Sequence, residues 1–233
     1  MQGGKEAVIV DAVMQMIREK KLIPGEKLPS ENELAEEFTA PRITVRKALQ
    51  QLEARGHVYT IKGKGRFLKE EAKPIHLHLT GSESFTDKMT EAGYNLKTVN
   101  ISCQKEPSRS PIYQKLEGNV YKVSRLRLIE NEPMAIHQSY VSELAFPDID
   151  RDGPSISSMF AYYRKHGYKE FTSNGTYLCV RFPTSEEQKR LNCNSMIPLI
   201  VLESNTVDCE SGKILEFNEI IYRSDKFKYD MTR

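Results

Sequence analysis

Arg125 and Arg127 stand two residues apart in a run, residues 120–130, whose alternating and β-branched pattern predicts a strand, so both side chains leave the same face. Two guanidiniums on one face attract a dianion such as phosphate, or two carboxylates. The same pattern also suits an exposed edge strand, where charge discourages pairing with other chains. A second cationic group lies earlier. Arg42, Arg46, Lys47, Arg55, Lys62, Lys64, Arg66 and Lys69 are opposed over that stretch only by Glu53, and they follow an acidic block of Glu31, Glu33, Glu36 and Glu37. The overall charge of +2 conceals this segregation. Such clusters attract polyanions, nucleic acid above all, the alternative being a solvated basic surface.

Other chemistry is less well supplied. Asp148 to Gly153 imitates the start of a calcium loop, but the twelfth position is Met159 where a bidentate glutamate is needed, so a surface turn is expected. His76 and His78 share a strand face without a third ligand at metal-site spacing. No nucleophile–base pair or glycine-rich cofactor loop is evident; the expectation is a protein without catalytic residues, cofactor or metal. The four cysteines, Cys103, Cys179, Cys193 and Cys209, are scattered with no CxxC spacing and read as buried, reduced thiols. No stretch approaches the roughly 20 apolar residues of a membrane span. The polar residues 1–6 lead into a helix and not into a signal peptide, so a cytoplasmic location follows.

The elements that must position these groups fall into two rhythms. Residues 7–20 carry Val8, Ile9, Ala12, Val13, Met16 and Ile17 at helical spacing. Pro24 and Gly25 break the chain, and Ser30 with Glu33 forms a capping box for a short helix bearing Leu34, Ala35 and Phe38. A third helix over residues 41–55 buries Val45, Ala48, Leu49 and Leu52, with Gly56 as its stop. Residues 57–61 and 66–68 flank a Lys62-Gly63-Lys64-Gly65 turn as a β-hairpin. Two helices joined by a tight turn and followed by a basic hairpin make a winged helix-turn-helix. Its third helix turns Arg42, Thr44, Arg46 and Lys47 outward, where an arginine can pair with guanine in the major groove, while Lys62, Lys64 and Arg66 serve phosphates or the minor groove and Gly63 and Gly65 allow close approach.

The remainder predicts helices over 84–92, 155–166 and 184–191, a helical turn over 111–116, and strands over 98–103, 120–130, 134–141, 176–182, 199–207 and 214–222. Strands outnumber helices and hairpins dominate, giving an antiparallel α+β domain. Residues 1–69 form the DNA-binding domain, 70–76 a linker, and 77–233 the second domain.

Leu28-Pro29-Ser30-Glu31-Asn32-Glu33-Leu34-Ala35, Arg42-Ile43-Thr44-Val45-Arg46-Lys47-Ala48-Leu49, Leu52-Glu53-Ala54-Arg55-Gly56 and Gly63-Lys64-Gly65-Arg66-Phe67 resemble the DNA-binding domain of the GntR family of transcription regulators. Thr39-Ala40-Pro41 departs from the Gly-Val-Ser-like turn usual there. Arg125-Leu126-Arg127, Pro133-Met134-Ala135-Ile136, Ser139-Tyr140, Ser158-Met159-Phe160 and Glu216 through Tyr222-Arg223-Ser224-Asp225 resemble the UTRA ligand-sensing domain of the HutC subfamily, whose fold is similar to chorismate lyase.

The resemblance implies that Ser30 joins the DNA-contacting set and that Arg125 and Arg127 grip the anionic group of a small-molecule effector such as a sugar phosphate. It further implies that Ser84, Phe85 and Ser158 line the pocket, with Ser158 near a helix start, and that Glu216 and Tyr222 bind hydroxyl or amino groups. His137 stands where many members carry a glutamate, which removes an acceptor for hydroxyls or amines. The function implied is a sequence-specific regulator, a repressor released from operator DNA by its effector and working as a homodimer held mainly through the C-terminal domain. The alternatives are an enzyme, suggested by the lyase-like fold, and a protein that coats DNA without sequence preference.

Overall fold

The computed structural model describes residues 4–70, 74–78 and 83–230. Part of the expected linker, residues 71–73, lies outside the described residues. The chain divides between Pro74 and Ile75 into two compact units, with the short segment Asn194–Ile197 grouped with the first.

The first unit runs α1 (Lys5–Arg18), α2 (Glu31–Glu37), α3 (Arg42–Ala54), β1 (Val58–Ile61) and β2 (Gly65–Leu68). Ile9, Val10 and Val13 of α1, Leu34 of α2, and Val45, Ala48, Leu49 and Leu52 of α3 close one core with Val58 and Leu68. The capping box is formed: Ser30 Oγ accepts from the Glu33 N–H at 3.2 Å, and the Glu33 carboxylate accepts from the Ser30 N–H at 2.7 Å. Helix α2 ends in a Schellman motif, with the Ala40 N–H donating to Ala35 O and the Thr39 N–H to Glu36 O. This places Thr39, a β-branched residue, at φ +45°, a left-handed conformation that normally belongs to glycine. The end of α3 repeats the motif with Gly56 at φ +80°. Strands β1 and β2 pair antiparallel from Val58↔Leu68 to Ile61↔Gly65, forming the wing.

The second unit contains β3 (Ile75–His78), α4 (Phe85–Glu91), β4 (Leu96–Lys105), β5 (Val120–Ile129), β6 (Glu132–Ser142), α5 (Ile149–Asp152), α6 (Met159–Lys165), β7 (Phe171–Thr172), β8 (Thr176–Arg181), α7 (Ser185–Leu191), β9 (Leu199–Asp208), β10 (Ile214–Arg223) and β11 (Phe227–Asp230). A seven-stranded antiparallel sheet has the order β4-β5-β6-β10-β9-β7, with β8 pairing a different stretch of β9. Strands β3 and β11 form a separate parallel pair. One face of the sheet packs Ile136, Leu199, Val201 and Ile221 against Leu191 of α7. The other face carries two apolar clusters, one around Val123 and Phe146 and one around Ile129 and Phe227.

Several expectations need correcting. The hairpin between β5 and β6 turns at Glu130 and Asn131, at φ +51° and +63°, and not at Asn131-Glu132-Pro133. Pro133 therefore lies within β6, beside a bulge between Arg127 and Leu128 that relieves its missing N–H. The helix expected over 155–166 begins only at Met159, because Ser158 is extended and acts as its N-cap. Strands β7 and β11 and helix α5 were not foreseen in the pattern; α5 occupies the calcium-like stretch, and β7 and β11 are short. Cys179 and Cys209 are exposed, contrary to expectation, because Cys179 lies on the edge strand β8 and Cys209 in the turn after β9. Strand β5 is interior to the sheet, paired on both sides, which removes the charged-edge explanation of its arginines. No described helix is long and apolar enough to cross a membrane.

Candidate functional site

In the first unit the buried stripe of α3 leaves Arg42, Arg46 and Lys47 in solvent and Thr44 half-buried. Ser30 is exposed as the N-cap of α2, and Lys62, Gly63 and Lys64 are exposed at the wing tip, with Gly63 at φ +79° and Gly65 at φ +118°. Arg66 differs from expectation. Its side chain is only 16% exposed, and its guanidinium meets Glu31 at 2.9 Å and Glu53 at 3.8 Å. In this arrangement it braces the wing against α2 and does not project outward.

Glu31 is the residue that sequence reasoning missed here. It also accepts from Arg46, at 3.0 Å from Nη2. The Arg46 hydrogen bond is the largest influence holding the Glu31 carboxyl below its usual range, with Arg66 adding to it against partial burial. The sequence places Glu31 only at the start of a helix, and nothing local signals that two later arginines converge on it.

The second unit contains a cavity of about 200 Å³. All eight residues expected around an effector, Ser84, Phe85, Arg125, Arg127, His137, Ser158, Glu216 and Tyr222, lie on its wall. Strand register explains most of this convergence. Arg125 pairs with His137 across β5 and β6, and Arg127 with Ala135. Ile220 pairs with His137 and Tyr222 with Ala135 across β6 and β10. Alternate residues of each strand therefore share one face. Ser84 caps α4, bringing Phe85 over that face: its ring meets His137 at 4.9 Å and lies 5.3 Å from the Arg127 guanidinium. Ser158 caps α6, accepting from the Ala161 N–H at 3.4 Å.

Both arginines are almost fully buried, and among the described residues neither forms an ion pair. Arg125 donates to Ser139 Oγ at 2.8 Å. Arg127 donates to Ser157 O and to Thr86 Oγ1, each at 2.6 Å. Burial, and then the neighbouring Arg125, pulls the Arg127 guanidinium down to about 9. Burial also lowers Arg125, opposed by the nearby Glu216 carboxylate. His137 is held well below its ordinary range by burial and by the two guanidiniums, so it is neutral at physiological pH. Glu216 Oε1 accepts from Thr206 at 2.8 Å and Asn218 at 3.3 Å, while Oε2 makes no well-formed hydrogen bond among the described residues, although the buried Tyr163 phenol lies close to the carboxylate.

Sequence reasoning did not find Thr86, Ser139, Ser204, Thr206 or Asn218, which also line the cavity. Alternation alone marks Ser204, Thr206 and Asn218 as facing one side, but not which side is hollow. Buried, unpaired positive charge is costly unless something compensates it. A wall of two guanidiniums, hydroxyls and one carboxylate suits a small oxyanion that also carries hydroxyl groups. Among the described residues no three His, Cys, Asp or Glu are gathered to hold an ion; the side chain of His78 lies outside them. Tyr162 and Tyr163 are buried in the core around Phe146.

Comparison with known proteins gives matching results. Residues 5–68 match the bacterial regulatory proteins of the gntR family, and residues 91–228 match the UTRA domain. The chain is similar to the mannosyl-D-glycerate transport/metabolism system repressor MngR of Escherichia coli, 24% identical over 96% of this chain and 93% of that protein. It is also similar to the transcriptional repressor NagR of Bacillus subtilis, 27% identical over 95% and 91%. Among solved structures, PhnF of Mycobacterium smegmatis shares the fold, with a TM-score of 0.61 at 18% identity over 97% of this chain and 98% of that one.

Proposed function

Since the chain belongs to the GntR family of transcription regulators, in its HutC subfamily with a UTRA domain, we propose that it is a cytoplasmic repressor whose hold on operator DNA is released when a small anionic metabolite fills the cavity. That it regulates transcription, and is no enzyme, follows from the family and from relatives that are repressors. The observation that carries the finer reading is the pair of buried arginines without an ion-pair partner among the described residues. They call for a bound anion, and a sugar phosphate supplies both the dianion and the hydroxyls that suit Glu216 Oε2 and the serines of the wall.

On the DNA side, Arg42, Thr44, Arg46 and Lys47 enter the major groove, with Lys62 and Lys64 on phosphates from the wing. The chain works as a homodimer reading a near-palindrome. Strand β8 supports a contact through the second unit: it is a sheet edge whose Tyr177 and Val180 are 75% and 61% exposed, next to exposed Leu178 and Phe182. Release requires the effector to bind the operator-fitting and non-fitting arrangements of the dimer with different affinity.

The test is fluorescence anisotropy on a duplex taken from upstream of the protein's own gene, at near-physiological salt with excess random competitor. Binding that survives competition and is reversed by a phosphorylated sugar is the expected result. Binding no tighter than to random DNA, with every genomic fragment and metabolite tried, would overturn the proposal.

A further inference from the structure

Among the described residues, six buried polar atoms of the cavity wall have no hydrogen-bond partner: Arg125 Nε, Arg127 Nε, His137 Nε2, Glu216 Oε2, Asn218 Oδ1 and the Tyr229 hydroxyl. Arg125, Arg127, His137 and Glu216 are 4%, 1%, 6% and 3% exposed, so water does not satisfy them from outside. A buried polar group left unpaired is expensive, and six around one hollow leave hydrogen-bonding capacity for an occupant of the hollow to meet. His137 is the unusual member, being an imidazole directly across from Arg125 in the strand register and flanked by the rings of Phe85 and Tyr222.

We propose that the cavity takes an oxodianion, such as the phosphate of a phosphomonoester, and that its seating on Arg125 and Arg127 draws a proton from solvent onto His137, so that ligand binding and proton uptake are one event. This rests on the reading of the cavity as the effector site. The charges facing His137 support it. Arg125 and Arg127 come from β5, and Glu216, with the phenol of Tyr222, from β10. Glu83 and Lys88, of opposite sign, line the same wall from the α4 side, and the Tyr229 phenol from β11. Without ligand, burial first and then the two guanidiniums keep the imidazole neutral. A dianion seated on the guanidiniums cancels their repulsion and adds an attraction of its own that works against burial, and the imidazolium then gives Nε2 a proton to donate to the anion. Arg127, at about 9, remains charged below pH 8, and burial pushes the Tyr222 and Tyr229 phenols up so that they remain neutral there.

Sulfate is the probe, because it stays dianionic at neutral pH and so takes up no proton itself. Calorimetric titration of the full chain between pH 6 and 8, in buffers of differing protonation enthalpy, is expected to show affinity rising toward about tenfold per pH unit lowered, with uptake approaching about one proton per sulfate. The His137→Gln variant is expected to show neither dependence. Because that variant could lose its fold, the imidazole is also followed directly by NMR in the unaltered protein: neutral alone at pH 6.5, cationic when saturated with sulfate. Equal affinity at pH 6 and 8, or a ring that stays neutral in the complex, overturns proton coupling while leaving the cavity reading intact. No sulfate binding at any pH, or binding that Arg127→Met does not weaken, overturns the cavity reading and this proposal together.

Discussion

Replacing Arg127 by methionine is expected to make the protein more stable and deaf to its effector. The side chain is 1% exposed. Burial, with Arg125 second, depresses its guanidinium from the ordinary arginine value to about 9. Three to four tenfold steps at about 1.36 kcal/mol each put the cost of keeping that charge on the order of 5 kcal/mol. Methionine keeps the apolar stem but loses the hydrogen bonds to Ser157 and Thr86 and the contact with Phe85, which offset part of that cost. The net expectation is a gain of about 1–3 kcal/mol, within the range seen when buried charge gives way to apolar side chains. For a unit of this size that is a rise of roughly 2–10 °C in Tm.

The sign with pH follows from the depressed value. Below pH 9 the guanidinium is charged in both folded and unfolded chains, and the full cost applies. As pH rises past 9 the folded chain releases the proton first, so the unaltered protein should gain stability relative to the variant. Meanwhile the stabilisation by an anionic ligand, about 2.7 kcal/mol at a hundredfold excess over Kd, should disappear from the variant. Thermal unfolding of both proteins from pH 7 to 10, with and without sulfate, reads all three effects. A variant destabilised by about 2 kcal/mol or more that keeps its response to sulfate would refute the reasoning, because Arg127 would then be a structural strut.

Arg46→Ala should weaken binding to the operator by about 1–3 kcal/mol per half-site while changing affinity for random duplex much less; equal losses in competition anisotropy would mean that Arg46 touches phosphate only. Thr39→Gly relieves a left-handed β-branched residue, and calorimetry should show the helix-turn-helix stabilised by about 0.5–1 kcal/mol. A lower Tm would show that the Thr39 side chain contributes more than its backbone costs. Leu178→Lys with Val180→Lys puts two charges on the exposed edge strand β8, and light scattering at micromolar concentration should find monomers. A dimer that persists would place the interface elsewhere.

Much of this molecule is legible along the chain. The capping box at Ser30 and Glu33, the buried stripe of α3 and the glycine at the end of that helix are local patterns, set within a few residues by hydrogen-bond geometry and periodicity. The same is true of Arg125 and Arg127 sharing a face, since a strand's period of two permits nothing else. The sequence also carries motifs enough to identify the family. What it does not contain is which face of a strand meets a void, or what lies across from it. That Arg125 stands opposite His137 depends on the register between β5 and β6, which the turn at Glu130 and Asn131 sets one residue earlier than the pattern suggests. That the arginines are buried and not an exposed edge depends on β4 pairing outside β5, which sets Asn100 against Arg125 and Thr98 against Arg127. Arg66 reads as one more cation of the wing until the fold brings Glu31 of a different helix against it. Local sequence determined which groups were available and which way each could point. Only tertiary structure, by withdrawing two guanidiniums and an imidazole from water onto one cavity wall without a counter-charge, brought together the groups on which the proposed anion site rests.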